Sequence, residues 1–285
     1  MQTATDPTAL APIAALDELV GAIPDGCLLA LPPDYSGCAM SAVRALIGKG
    51  RRNLRIVSVP SGGLQVDWLI GAGAVTEIEA AAMTLGEFGV PPRFEAAYRD
   101  GTITLTDATC PAIHAGLQAA EKGIPFLPLR GILGSDLLKH RSDWQVIQNP
   151  TADAEDPIVI IPAITPDVAL FHAAKCDRNG NVWIGVRREL MLMAHAARRT
   201  LVTVEQVVDA DFLADAEVAA GTIPALYIDA IAVAPDGAWP VGLAGRYPPD
   251  HDAIRTYCSA AKSAGGFARW LEETRAASSR QSHTT

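Results

Sequence analysis

Aromatic residues make up only 6% of this 285-residue chain, and charged residues only 19%. Basic residues are the scarcer sign: 23 Lys and Arg face 32 Asp and Glu, for a formal charge of -9. That excludes a global positive field of the kind that draws nucleic acid or anionic membranes, so an anionic ligand needs local donors. Cysteines are few and scattered. Cys27, Cys38, Cys110, Cys176 and Cys258 form no CxxC pair and are odd in number, which suggests neither a disulfide framework nor a zinc site and fits reduced thiols in the cytoplasm. No apolar run approaches the roughly 20 residues of a membrane span. The N-terminus lacks a basic region and carries Asp6, Asp17 and Glu18 within its apolar stretch, unlike a signal peptide. Repeats of fixed period are missing as well.

What is present is apolar material, 49% of the chain, enough for a large core and near the upper limit of one domain. A single domain over 1–277 is expected, with a disordered polar tail at 278–285. Short apolar runs alternate with helical patterns. CLLALP (27–32) predicts a strand, PDYSG (33–37) a loop, and Met40 onward a helix ending at Gly48 or Gly50. LRIVSVP (54–60), the turn SGG (61–63) and a short helix over 64–73 repeat the pattern. VTEIEAAAMT and ITLTD read as further strands, followed by helices over PPRFEAAYRDG and PAIHAGLQAAEKG. WQVIQNP, IVIIPAI, DVALFHA, LVTVEQVVD and IAVAP supply the remaining strands. RRELMLMAHAARRT is helical, and two closing helices are interrupted at Gly265-Gly266. The alternation implies an α/β fold of three layers, a mostly parallel central sheet with helices on both faces, and some antiparallel pairing around the Asn-Gly turn RNGN (178–181).

Ligands of such sheets lie at the carboxyl ends of the strands, where small-residue loops feed helix N-termini with free N–H donors. Three loops qualify: PDYSG with Ser36 and Gly37; PSGG with Ser61, Gly62 and Gly63; and RGILGSD (130–136) with Arg130, Gly134 and a helix-capping Ser135. Each is suited to phosphate, carboxylate or a thioester oxygen, and each is equally an ordinary turn.

Two stretches go beyond fold class. IPFLPLRGILGSDLLKH (124–140) and PAITPDVALFHAAKCDRNGNVWIG (162–185) resemble segments of the A-type subunits of family I coenzyme A transferases, particularly the glutaconate type. SGGLQVDWLIGAGAV (61–75), AGLQAAEKGIPF and ARRTLVTVEQVVD (197–209) follow in the family's order, and the resemblance covers about residues 20–275. It implies a ping-pong enzyme that moves coenzyme A from an acyl-CoA to a carboxylic acid through an acyl-glutamyl anhydride and a glutamyl thioester. Coenzyme A is then a substrate, with no permanently bound cofactor. The family's nucleophilic glutamate belongs to the B-type chain. The related position here is Pro60, which has no titratable group, so the resemblance implies a B-type partner in a heterodimer or heterotetramer. Ser61, Gly62 and Gly63 are its first candidates for acyl contacts and an oxyanion hole. Pro32-Pro33 stands where the family has Gly-Gly, and proline donates no N–H.

Other residues carry two readings. Glu87, in TLGEFGV, copies a Glu-x-Gly nucleophile motif one strand too late; it is the one catalytic candidate in this chain, touching substrate, or else a helix-capping or surface residue. His172 is a general base or a buried, hydrogen-bonded histidine. Asp177 and Asn181 fit an Asx turn, with no cluster of metal ligands. Arg130 pairs with a ligand anion or with a structural carboxylate. Arg187, Arg188, Arg198 and Arg199 form a solvated or partner-facing row, and Cys110 with His114 lacks an activating third group. Two rival functions accompany the transferase. One is the ring-opening acyl-CoA hydrolase of steroid degradation, whose glutamate before the helix PAIHAGLQAAEKG is replaced here by Asp107, Thr109 and Cys110. The other is a non-catalytic module for coenzyme A or sugar phosphates.

Overall fold

The computed structural model describes the backbone of residues 12–281 and the side chains of residues 12–274. Seven strands form the central sheet: β1 (Leu28–Leu31), β2 (Leu54–Ser58), β3 (Val75–Ala80), β4 (Thr104–Asp107), β5 (Val168–Ala173), β6 (Thr200–Val204) and β7 (Ala230–Val233). Their spatial order is β7-β6-β5-β1-β2-β3-β4, and every pairing is parallel. The chain fills the sheet outward from β1 on one side, then crosses and fills it outward from β5 on the other. Strand order therefore reverses between β1 and β5, the place where doubly wound sheets open a crevice.

Alternation along each strand sends neighbouring side chains to opposite faces. Leu29, Leu31, Ile56, Leu170 and Leu201 enter one core with the helices Met40–Gly48, Leu64–Gly71, Pro92–Arg99 and His251–Ala260. Ala30, Val57, Phe171 and Val202 enter the other with Cys110–Glu121 and Arg188–Ala196. Both faces are buried, which is why these strands read as continuous apolar runs. Each fully buried Leu or Ile contributes roughly 1.5–3 kcal/mol.

Two expected strands do not join this sheet. Phe126–Leu129, Gln145–Gln148 and Pro157–Pro162 build a separate antiparallel sheet with Pro157–Pro162 central. Prolines at 125, 128, 157 and 162 lack ladder donors and suit a small outer sheet, and Val159 and Ile161 still reach the second core. The expected antiparallel hairpin at RNGN is present, Lys175–Asp177 against Val182–Trp183. The final helix runs Ala264–Gln281 and so extends into the segment 278–285 expected to be disordered, since Ala, Arg and Gln sustain helix; residues 282–285 lie outside the described residues. The break between the closing helices falls at 261–263, just ahead of the glycine pair.

Two helix starts are capped from elsewhere in the fold. Leu64–Gly71 has Gly63 at its N-cap and no local side-chain cap, and the Asp34 carboxylate accepts from Leu64 N at 2.9 Å. Pro92–Arg99 likewise has no local cap, and Asp67 accepts from Phe94 N at 2.6 Å and from the Tyr257 hydroxyl at 2.6 Å.

Candidate functional site

The loops leaving β1, β2, β3 and β7 converge at the carboxyl ends of the strands around a cavity of about 890 Å³. The first loop contributes Pro33, Asp34 and Tyr35, the second Ser61 and Gly62, the third Thr84 to Phe88, and the last Val241 to Pro249. A smaller cavity of about 310 Å³ adjoins it, and Tyr35, Arg187 and Leu243 to Gly245 line both. The two cavities lie over the strand ends beside the reversal of strand order, as the topology requires.

The second loop is held as a strand. The run expected as one strand over 75–84 breaks at Ala81; Ala82–Met83 then pairs in parallel with Ser61–Gly62, and Thr84 N donates to Gly62 O at 2.9 Å. Ser61 is half-buried, lines the larger cavity, and its hydroxyl makes no hydrogen bond among the described residues. Gly63 has a different role. A Cβ there would lie 2.3 Å from the Asp34 carboxyl atoms, so the bare Cα is what lets the first loop close on the second. Burial pushes the Asp34 carboxyl up to about 6, although the N–H of Leu64 and the Cys38 thiol favour its ionised form. Burial also raises the Cys38 thiol.

The opposite wall hangs on Glu205. Its carboxylate accepts from His172 Nε2 at 2.8 Å, Tyr247 Oη at 2.8 Å, Asp236 N at 2.9 Å and Gly237 N at 3.2 Å. Because a carboxylate only accepts, a proton sits on His172 Nε2, and Nδ1 shares a hydrogen bond with Thr203 Oγ1 at 2.8 Å. Burial opposes ionisation of Glu205, but these donors outweigh it and bring the carboxyl down to about 2. Burial first, with Glu205 adding, pushes the Tyr247 phenol up. The network ties the 236–247 loop to the ends of β5 and β6.

The site residues expected from sequence divide. Ser61 and Gly62 line the larger cavity, and Gly63 seats Asp34 beside it. Ser36 and Gly37 line the smaller cavity, where Ser36 is buried and donates to Glu189. Gly37 has φ +74°, and its carbonyl accepts from His172 N at 2.7 Å, an approach that any Cβ would block. Arg130 stands apart, in a bidentate pair with Asp156 at 2.9 and 2.6 Å that holds Asp156 down to about 2. Gly134 and Ser135 lie with it beside the outer sheet, and Ser135 caps the turn at Leu137 N. Glu87 is on the rim of the larger cavity, mostly exposed, with His251 Nδ1 at 3.3 Å. His172 is the buried, hydrogen-bonded histidine, and Asp177 builds the Asx turn, accepting from Asn179 N, Asn181 N, Asn181 Nδ2 and Phe212 N. No cluster of three or more metal-ligating side chains occurs among the described residues.

Sequence reasoning misses Asp34, Glu205, Tyr247 and Arg187 as site residues. Asp34 carries a signal, as the acid within the first small-residue loop. Arg187 reads as one of a solvated or partner-facing row, and its guanidinium carbon lies 5.3 Å from the Tyr35 ring centroid, in the wall between the cavities.

A family model described as Coenzyme A transferase matches residues 13–234. The A-type chain of the 3-oxoadipate CoA-transferase of Pseudomonas knackmussii is 28% identical over 256 residues, covering 87% of this chain and 88% of that protein. The cholesterol ring-cleaving hydrolase IpdA subunit of Rhodococcus jostii is 29% identical over 264 residues, covering 87% and 86%. An uncharacterized Archaeoglobus fulgidus protein is 29% identical over 238 residues, and the chain spans only about half of it, 52%. Among solved structures, glutaconate coenzyme A-transferase from Acidaminococcus fermentans superposes with a TM-score of 0.83 at 25% identity, covering 92% of this chain and 87% of that one. A variant of the decarboxylase AibA/AibB superposes with a TM-score of 0.82 at 29% identity, covering 94% and 100%.

Proposed function

The chain belongs to the coenzyme A transferase family, and from that premise we propose that it is the A-type half of a two-subunit enzyme that moves coenzyme A from an acyl-CoA to a carboxylic acid. The partner's glutamate carboxylate attacks the thioester carbon and coenzyme A leaves as thiolate. That thiolate attacks the glutamyl carbonyl of the resulting anhydride and releases the first acid. The acceptor carboxylate then attacks the glutamyl thioester, and the returning thiolate cleaves the second anhydride to give the new acyl-CoA and the free glutamate.

The observation that carries this reading is the composition of the cavity. At the end of β2 stands Pro60, followed by Ser61 with an unpaired hydroxyl and by Gly62, so the loop offers a hydroxyl donor and no carboxylate. Asp34 beside it is committed to the helix end, and Glu87 lies mostly exposed on the rim, 3.3 Å from His251 Nδ1. A donor at the strand end, on a loop with no carboxylate of its own, suits stabilisation of an oxyanion formed by another chain's attack. Arg130, Gly134 and Ser135 take no part in this proposal. The five cysteines are free thiols, in keeping with a cytoplasmic setting.

The test is an exchange assay on this chain, on a B-type partner, and on the two co-expressed. Label passes from acyl-CoA to free acid in the complex alone, and Ser61→Ala lowers kcat by about 100-fold. Full-speed exchange by the isolated chain would sink the reading. The hydrolase alternative predicts thioester loss with no acceptor acid. Against it, Thr109 is engaged in capping Ala112 N at 3.3 Å, and neither Thr109 nor Asp107 lines the two cavities at the strand ends.

A further inference from the structure

The two edges of the outer antiparallel sheet differ. On the Phe126–Leu129 side, Ala163 N donates to Pro125 O at 2.9 Å, one position before the pair Phe126 and Pro162. Bonded pairs alternate with unbonded ones along an antiparallel ladder, so Leu127 and Leu129 bond inward while Phe126 and Pro128 turn their backbone groups outward. Proline lacks an N–H, and an outward proline blocks a strand edge. That edge is closed to further pairing.

The opposite edge is Gln145–Gln148. Asn149 N donates to Asp156 O at 2.9 Å, and the same alternation makes Ile147 and Gln145 the inward-bonded residues. Val146 and Gln148 therefore each turn an N–H and a C=O outward, and no backbone partner meets these groups among the described residues. All four residues are exposed, Val146 by 51% and Ile147 by 37%. Edges that stay free in solution carry Lys, Pro or a bulge, whereas residues 144–149 (WQVIQN) contain neither a charge nor a proline. Such an edge is completed by another strand.

The cavities at the strand ends have no lining residue from this outer sheet, so a B-type chain that delivers its glutamate there is not thereby placed on the edge. The edge is its own complement instead. With Ile147 on a two-fold axis, an antiparallel second copy sets Val146 opposite that copy's Gln148 and Gln148 opposite its Val146, and the outward groups form four N–H···O bonds. The exposed Asp153 and Glu155, in the connection to Pro157–Pro162, then fall at opposite ends of the joined strands, and like charges do not meet.

We propose that Gln145–Gln148 is the interface between two copies of this chain, joining two A–B pairs through one continuous six-stranded sheet. The position of the B-type chain rests on the transferase reading; the strand pairing does not.

The experiment introduces Ile147→Cys into the full chain, alone and co-expressed with a B-type chain. On the axis the two Cα atoms form an unbonded pair about 4.5 Å apart, within reach of a disulfide. Oxidation is expected to give a band of two copies on a non-reducing gel, absent from wild type treated alike. Sedimentation equilibrium of the wild-type complex is expected to read two copies of each chain. Val146→Pro removes one outward donor per copy and no inward bond, and should raise the dissociation constant of the two halves by about 30-fold, the scale of two hydrogen bonds lost. Val146→Lys should separate the halves as well, through charge. A wild-type complex of one copy each at every concentration, no crosslink from Ile147→Cys, or a mass unmoved by both Val146 variants would overturn the proposal. So would Val146→Lys stripping the B-type chain from the complex, which would give the edge to that chain. Exchange activity is read on the same samples: a crosslinked complex that transfers nothing defeats the transferase reading and leaves the interface standing.

Discussion

The two walls of the larger cavity are each held by a carboxylate, and the two carboxylates are driven in opposite directions. Asp34, under the first loop, is met by one backbone N–H and a thiol, and burial carries it up to about 6. Glu205, behind the last loop, collects an imidazole N–H, a phenol and two backbone N–H groups, and they carry it down to about 2. Glu205 is buried, and Asp34 is partly buried at the cavity wall. The number of donors that the surrounding fold delivers decides which carboxylate is content to be charged.

Removing Glu205 tests the contrast most severely. Glu205→Ala leaves His172, the Tyr247 hydroxyl and two N–H groups without an acceptor, and is expected to lower the urea-unfolding free energy by about 3–5 kcal/mol. A loss below about 1 kcal/mol would mean that the last wall does not depend on the network. Gly63→Ala is expected to cost about 1–3 kcal/mol, because the new methyl overlaps the Asp34 carboxyl. Adding Asp34→Ala to that chain should recover part of the cost; strict additivity of the two losses would break the proposed contact.

The pH dependence sharpens the same comparison. Asp34 titrates at about 6 in the fold against 3.8 when free, so the native state holds the extra proton between those values and its stability falls as pH rises from about 4 to 6. Asp34→Asn removes that penalty and keeps an acceptor for Leu64 N. The variant should therefore gain on wild type by up to about 3 kcal/mol across that window, measured by urea unfolding at pH 4 and pH 7. Glu205 has the reverse sign. Its contribution is complete above about pH 4.5 and is lost as pH falls toward 2. The smallest effect belongs to Arg130, exposed and outside both cavities: Arg130→Gln should shift neither the unfolding midpoint nor KM beyond experimental scatter.

The Arg130 region also shows what a motif can and cannot locate. PFLPLRGILGSD is among the stretches most like the family, yet it forms an outer sheet strand, an exposed ion pair and a capped turn. The short SGG turn carries less sequence signal and lies in the cavity wall. A motif marks residues that a fold reuses, and the reuse serves packing as readily as chemistry. His172 and Asp177 make the same point: both fall within a family-like segment, and both are buried in hydrogen bonds within the fold. Glu205 and Arg187 escape notice in the sequence because nothing local distinguishes a carboxylate that collects distant donors, or an arginine without an ion pair, from its solvated neighbours; Asp34 carries a local signal as the acid of the first small-residue loop, but not the identity of the helix it caps.

Apolar runs of strand length, punctuated by Gly, Pro and Asn-Gly, were enough to specify a doubly covered parallel sheet, because burial on both faces leaves a strand no polar side. The same local chemistry placed the PSGG loop at a strand end and gave it, at Pro60, no titratable group. Tertiary structure alone decided which loops meet. Asp34 reaches Leu64 across 30 residues, Glu205 reaches Tyr247 across 42, and Arg187 borders two cavities. These contacts depend on where the order of strands reverses, and no residue carries that information by itself.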